Sequence, residues 1–408
     1  MKNWIKKKLS DLSKRKDAVI SGPFGSNLKV SDYKASGIPI FRLQNVGKGY
    51  FINKDIKYIS EEKAEELKYH SFKSGDLVLA KLGVPIGKTC VVPEEFQSGI
   101  IVADVVRIRP DKNIVDYKFL QYFLNSDQAV SQLTANVTGA TRPRVNLSDV
   151  RNMELYVPPL SEQERIVSIL DRAFTAINQA KSNAERNLKN ATALFESYLH
   201  SILETLSQEH PQTTLSKSCD FFNGKAHEKA IDDSSNYVVV NSKFISSEGK
   251  TVKRTANQMF PLYTNDVVLV MSDVPNGKAL AKCMIIEEDD TYSLNQRICC
   301  IRSESYDTKF LYYQLNRNPY LLAFNNGENQ TNLRKGDILD TPLTLPEIRI
   351  QKDVASKIDN VKDQSKQLCK IYQKKINALD ELKKSLLQKA FEGELHNDEA
   401  TKLKIENE

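Results

Sequence analysis

Two textures alternate along the chain. Short runs of β-branched and other apolar residues come first: Ile38-Pro39-Ile40-Phe41, Leu77-Val78-Leu79-Ala80, Ile100-Ile101-Val102 and Val105-Val106-Arg107-Ile108. Glycine and proline punctuate them, which predicts strands joined by turns. The same texture returns at Tyr237-Val238-Val239-Val240, Val267-Val268-Leu269-Val270 and Ile298-Cys299-Cys300-Ile301. Short helical patterns lie at Tyr117–Leu124 and Phe310–Leu315.

The other texture is a long stripe. After Pro158-Pro159, the run Ser161-Glu162-Gln163-Glu164 reads as a capping box. Apolar or small residues follow at Ile166, Leu170, Ala173, Ile177, Ala180, Ala184, Leu188, Ala191, Leu194, Tyr198 and Ile202. Steps of mostly four and three are heptad spacing. A second stripe runs Val354, Ile358, Val361, Ser365, Leu368, Tyr372, Ile376, Leu379, Leu382, Leu386 and Ala390. No glycine or proline interrupts either stripe, and forty helical residues would span roughly 60 Å. Small residues on one stripe face large ones on the other, so the two helices are expected to pair antiparallel as a coiled coil.

The two halves repeat each other. Asp76-Leu77-Val78-Leu79 with Val84-Pro85-Ile86-Gly87-Lys88 returns as Asp266-Val267-Val268-Leu269 with Val274-Pro275-Asn276-Gly277-Lys278. Lys118-Phe119-Leu120 returns as Lys309-Phe310-Leu311, and Asp149-Val150 through Asp171 as Asp337-Ile338 through Asp359. All three blocks are separated by about 190 residues, too long a period for a solenoid. The expected fold class is therefore α+β: two similar, mainly-β mixed heads separated by two long antiparallel helices, with internal pseudo-twofold symmetry. The expected boundaries are 1–158 and 209–346 for the heads, 159–208 and 347–395 for the helices, and 396–408 for a flexible tail.

Composition narrows the chemistry. A net charge of +6 permits a polyanionic partner without demanding one. The hydrophobic fraction of 40% and charged fraction of 27% describe a soluble folded chain, with no run long enough to span a membrane. Six cysteines without a C-x-x-C pair read as thiols in a reducing cytoplasm. Five histidines without a ligand cluster argue against a metal enzyme.

Catalytic motifs fail one by one. Gly83-Val84-Pro85-Ile86-Gly87-Lys88-Thr89 is one residue short of a phosphate-binding P-loop, and no helix is signalled after it. Pro110-Asp111 with Asp116-Tyr117-Lys118 has too little spacing for the two strands of a nuclease motif. There is no Asn-Pro-Pro-Tyr methyltransferase motif and no G-x-S-x-G. The chain reads as non-catalytic, which leaves binding. The polar, basic, turn-rich segments offer Thr141, Arg142 and Arg144 before the first long helix, and Gln330, Asn332, Arg334 and Lys335 before the second. Arg42, Gln44 and Asn45 face Asn241 and Lys243 across the repeat, and Lys81, Lys88 and Lys278 flank the turns. Arginine suits guanine O6/N7, asparagine and glutamine suit adenine N6/N7, and all bind phosphate. Between the copies the scaffold letters match and these polar letters do not, as two readers of different half-sequences would require.

Four segments carry a family resemblance: Gly22-Pro23-Phe24-Gly25-Ser26, Ser74-Gly75-Asp76-Leu77-Val78-Leu79-Ala80, Gly139-Ala140-Thr141-Arg142-Pro143 and Val157-Pro158-Pro159-Leu160-Ser161-Glu162-Gln163-Glu164-Arg165-Ile166. Together they resemble the DNA-specificity subunit of type I restriction–modification enzymes. The resemblance spans essentially the whole chain. The second copy departs from it, with Pro346-Glu347-Ile348-Arg349-Ile350-Gln351 and no Thr-Arg-Pro. It implies two target-recognition domains, each reading one half of a bipartite site in double-stranded DNA. It also implies helices that set the gap and dock two methyltransferase (modification) subunits, with restriction/translocase subunits joining. The chain itself would hold no cofactor; S-adenosylmethionine, ATP and Mg²⁺ would serve the partners, in the cytoplasm. The alternative is a coiled-coil protein-interaction scaffold without DNA readout.

Overall fold

The structure, a computed structural model, describes residues 3–135, 143–227, 230–274, 278–325 and 331–395. Contacts divide the chain into two compact units, Met1–Glu185 with Gln373–Glu408, and Arg186–Tyr372. Each contains one head and a segment of each of two long helices, the central helix Leu160–Glu209 and the C-terminal helix Ile348–Glu392.

The first head is built on two four-stranded sheets. One takes the order Val19–Ser21, Val105–Ile108, Leu77–Ala80, Thr89–Val91, all antiparallel. The other takes the order Lys57–Ile59, Ile38–Phe41, Ser98–Ile101, Ser71–Lys73, with its middle pair parallel. The unbroken apolar run Leu77–Ala80 is a strand buried on both faces. Because side chains alternate, Leu77 and Leu79 join the core beneath the helices, and Val78 and Ala80 pack against Phe41 and Phe72 of the second sheet. The second head repeats the scheme. Val267 and Leu269 face one core, Val268 and Val270 the other. Its strands run Asp220–Asn223, Ile298–Arg302, Val267–Val270, Cys283–Ile285, and the register Leu77↔Ile108 returns as Val267↔Ile301.

The repeated letters have structural reasons. Buried Asp76 accepts from Arg109 Nε at 2.7 Å and from the Lys73 N–H at 2.7 Å. Buried Asp266 accepts from Arg302 Nε at 2.6 Å and from the Tyr263 N–H at 2.8 Å. Asn125 and Asn316 each accept an N–H from the edge strand, of Thr89 at 3.2 Å and of Cys283 at 2.9 Å. Tyr122 and Lys118 both donate to Asp171 on the central helix, and Tyr313 and Lys309 to Asp359 on the C-terminal helix.

The helices differ from expectation in two places. The central helix starts at Leu160, so Ser161 lies exposed in the first turn and forms no capping box. Pro159 starts the helix instead, its carbonyl accepting from the Glu162 and Gln163 N–H groups at 3.0 and 3.1 Å. Gln163 turns inward and is fully buried. It accepts from the Asp116 N–H at 2.7 Å and donates to the carbonyls of Ile114 at 3.1 Å and Pro158 at 2.8 Å. Gln351 repeats this with the Asp307 N–H and the carbonyls of Ser305 and Pro346. Further along, Leu194 is 52% exposed, and Phe195 and Leu199 pack inward in its place. A straight helix drifts about 20° per heptad against a strict seven-residue repeat, and here the inward face follows the second head's core.

Within each unit the helix segments run antiparallel. In the first, Arg165 donates to the Leu395 carbonyl and Lys181 pairs with Asp380 at 2.6 Å. Ala173, Ile177 and Ala180 share a core with Leu379 and Leu386. In the second, Ser365 Oγ donates to the Ala191 carbonyl at 2.6 Å, and Leu206 shares a core with Val354 and Ile358. The six cysteines are unpaired; burial pushes the Cys90 thiol up to about 12.

Truncating Gln163 or Gln351 to alanine orphans one buried N–H and two carbonyls, at about 1–3 kcal/mol for each unsatisfied group. Urea denaturation should therefore show a loss of at least ~2 kcal/mol for either variant and little change for Gln179→Ala on the exposed face. Equal midpoints for all three would contradict the clamp.

Asp17 offers a pH test. Its carboxyl is drawn from 3.8 down to about 2 by the Arg15 hydrogen bond, against burial and helped by buried Arg107. A depressed folded value means stability present above 3.8 and lost as pH falls through about 2. Asp17→Asn should be less stable than the parent near neutrality, the gap closing across that window; a gap independent of pH would refute the linkage.

Candidate nucleic-acid interface

In each head the doubly buried strand runs on past its sheet, and in the first head it carries the site with it. In the first head the Lys81 N–H donates to the Asp104 carbonyl at 2.8 Å, and the Val145 N–H donates to the Lys81 carbonyl at 3.1 Å. Beside them the Gly22 N–H donates to Val105 at 3.0 Å. A Cβ on Gly22 would sit 2.1 Å from the Val102 carbonyl oxygen, so only glycine permits this approach.

The side chains on this frame line a cavity of about 440 Å³ that includes Lys81, Arg144, Arg151, His70, Tyr69 and Phe24. Arg144 pairs with Asp104. Burial pushes the Lys81 ammonium below its ordinary value, with Asp104 opposing and Arg144 adding to the shift. Arg151 donates through Nε and Nη2 to the Val19 carbonyl, and His70 Nδ1 donates to the Ser21 carbonyl at 2.7 Å. Phe24 is 83% exposed.

The second head has a cavity of about 530 Å³, lined by residues that include His227, Asn241, Lys243, Lys253, Asn295 and Arg297. His227 is buried, its Nδ1 against the Lys225 carbonyl and its Nε2 against Ser293 Oγ, both at 2.7 Å. Asn241 Oδ1 caps the short helix Ser242–Ser246 by accepting from Phe244 at 2.9 Å. Lys243, Lys253 and Arg297 are exposed, and among the described residues none of them is in an ion pair. Three like charges on one concave wall form a strong anion-attracting field.

The residues singled out from sequence divide accordingly. Lys81 and Arg144 meet in one cavity, and Asn241 and Lys243 in the other. Asn45 is fully buried: its amide donates to Ile52 and Lys54 and accepts from the Arg42 N–H, so it holds a turn. Arg42 and Gln44 both donate to Asp55, at 2.9 and 3.1 Å. Asn332 is exposed and paired in register with Ser272. Arg334 precedes the helix Lys335–Leu339, and Lys335 lies over the Phe221 ring at 5.5 Å. Lys88, Lys278, Arg334 and Lys335 line neither cavity. The turn holding Lys88 leads into the strand Thr89–Val91, not a P-loop helix. Thr141, Arg142 and Gln330 lie outside the described residues.

Asp104, Arg151, Lys253 and Arg297 were not legible as site residues. Arg151 lies inside a repeated block that reads as scaffold, and the others lie where the copies share no letters. Among the described residues no group of His, Cys, Asp and Glu is placed to hold a metal. No helix among them is long and apolar enough to cross a membrane.

A family model described as the type I restriction modification DNA specificity domain matches residues 1–186 and 214–378. The EcoBI specificity subunit of a type I restriction enzyme from Escherichia coli is 26% identical over 167 residues, 41% of this chain and 34% of that one. The MjaVIII specificity subunit from Methanocaldococcus jannaschii is 26% identical over 172 residues, 40% of each. The chain thus aligns over less than half the length of these relatives. In solved structures, a chain of a type I R-M system complex superposes with a TM-score of 0.77 at 17% identity, covering 96% of this chain and 98% of that one. The HsdS subunit from Thermoanaerobacter tengcongensis superposes at 0.59 and 16% identity, covering 96% and 97%. At such identities the superpositions establish a shared fold.

Proposed function

The chain belongs to the type I restriction modification DNA specificity family, and from that premise we propose that each head reads one half of a bipartite target in double-stranded DNA. The observation that carries this reading is a concave cationic wall in each head, lined by different side chains and lying beside a repeated backbone frame. Matching frames give both heads the same way of approaching a duplex, and differing side chains give them different preferred bases. Phosphate contacts would position each head and base-edge contacts would specify the sequence.

In this reading residues 1–158 and 209–346 are the recognition domains, and 159–208 with 347–395 form the helical spacer that fixes the gap between half-sites. Tethering two weak readers raises the effective concentration of the second once the first has bound. The chain performs no chemistry itself. Two methyltransferase subunits dock on the helices and restriction/translocase subunits join them; S-adenosylmethionine, ATP and Mg²⁺ serve those partners, in the cytoplasm.

Replacing residues 213–345 with the corresponding segment of a relative, and sequencing the methylome of a strain carrying the chimera with its native partners, tests modularity. One half of the modified motif should change. A change in both halves, or in neither, refutes the assignment.

The cationic wall of the second head predicts a salt effect. Binding by the full chain with its co-purified partners should give a log K against log salt slope that falls by about one for Lys253→Gln. An unchanged slope would remove Lys253 from the phosphate contacts.

A further inference from the structure

We propose that three corresponding positions on the frame set the base preference of each head: Lys81, Asp104 and Arg144 in the first, Met271, Arg297 and Asn332 in the second. This rests on the reading of the heads as DNA readers and names the residues that would do the discriminating.

The correspondence comes from backbone bonds, since the letters do not match. The Lys81 N–H donates to Asp104, and the Met271 N–H donates to Arg297 at 3.0 Å. The Val145 N–H donates to Lys81, and the Leu333 N–H donates to Met271 at 2.8 Å. Leu82 pairs with Arg144 as Ser272 pairs with Asn332, both antiparallel. The Gly22 N–H donates to Val105, and the Gly224 N–H donates to Ile298 at 3.2 Å. A Cβ on Gly224 would lie 2.1 Å from the Asn295 carbonyl oxygen, the same clearance that Gly22 has from Val102. The three side chains therefore leave corresponding points of the two frames.

From those points the chemistry differs at every position. The first head presents a cation, an anion and a cation. Asp104 accepts from the Arg144 guanidinium, which is 51% exposed. A guanidinium with a fixed plane suits the paired acceptors O6 and N7 of guanine, and fixing that plane is the work of Asp104 as a positioning residue. Lys81 lies close enough for both charges to shift its ionisation. In the second head the Met271 side chain packs against the core and offers no charge, and an exposed guanidinium and an exposed amide take the other two places. Exposed Arg297 has no carboxylate partner at the position corresponding to Asp104, because it occupies that position itself. The Asn332 amide, also exposed, combines one donor group with one acceptor, the pattern that matches adenine N6 and N7.

The test is selection from a random duplex library by the full chain co-purified with its native partners, read by sequencing the retained DNA. The parent should enrich a two-part motif; enrichment of no motif overturns the DNA-reading assignment itself. Asp104→Arg combined with Arg144→Asn should alter the bases of one half, with about tenfold loss of the original preference, and leave the other half intact. The intact half also reports that the variant folds. Arg297→Asp should act on the opposite half alone. Asp104→Asn, which keeps size and shape, should broaden the first half in the same direction. If both halves keep the parental motif in every variant, or if even Asp104→Asn erases both halves together, the three positions are structural and the proposal is overturned.

Discussion

A strand buried on both faces needs two covers, and that requirement organises each half of this chain. Leu77–Ala80 and Val267–Val270 place every side chain in a core. A second sheet covers one face, with Phe41, Phe72 and Val78 in the first head and Val238, Val240 and Val268 in the second. The short head helices, Tyr117–Leu124 and Thr308–Leu315, cover the other together with the long helices. Ile166, Leu170 and Ala173 share a core with Leu77 and Leu79, and Val354, Ala355 and Ile358 share one with Val267 and Leu269. Burial of apolar surface at roughly 25 cal/mol per Å² is the main favourable term in folding. A head stripped of its long helices would expose apolar residues of that shared core. The long helices are thus part of each head's core as well as connectors.

Directional polar contacts fix what apolar burial leaves adjustable. Gln163 and Gln351 are buried at the helix starts and answer three backbone groups each, so a slip of the helix along its axis would orphan all of them. Asp171 and Asp359 then fasten the head helices from the side through a tyrosine and a lysine. Burial and the aspartate together push the Tyr122 and Tyr313 hydroxyls far above the ordinary phenol value, so both stay protonated donors. The carboxyl of Asp359 is held below its ordinary value although burial, its largest single influence, works the other way; the Lys309 and Tyr313 hydrogen bonds outweigh it. These contacts keep their letters in both halves because each is specified by backbone geometry common to both.

This division explains which parts of the structure could be read from sequence. The helix Tyr117–Leu124 and the strands Ile38–Phe41, Leu77–Ala80, Val105–Ile108, Tyr237–Val240 and Val267–Val270 were visible, since their patterns depend on burial and periodicity. The repeat was visible because buried pairs such as Asp76–Arg109 and Asp266–Arg302 need particular residue types. The helix start was misread, since Ser161 and Glu164 satisfy the letters of a capping box while the first helical hydrogen bonds run to the Pro159 carbonyl. Leu194 was misplaced because a heptad count assumes one helical partner throughout. Asn45 looked like a surface reader by residue type and turned out to be spent on its own turn. The role of Asp104 was invisible, because its partner lies forty residues away and the second head has arginine in its place.

The frame makes that last variability inexpensive. Its polar demands are met by main-chain groups, Lys81 with Asp104 and Val145 in one head, Met271 with Arg297 and Leu333 in the other. A backbone hydrogen bond does not depend on which side chain is attached, so lysine can give way to methionine, or aspartate to arginine, without loosening the sheet. The glycines at 22 and 224 are the exception, since any Cβ there would collide with a carbonyl oxygen. Stability is therefore concentrated in residues that cannot change and surface chemistry in residues that can. A scaffold arranged in this way can carry a new set of exposed donors and acceptors without a new fold, as its own two halves already do.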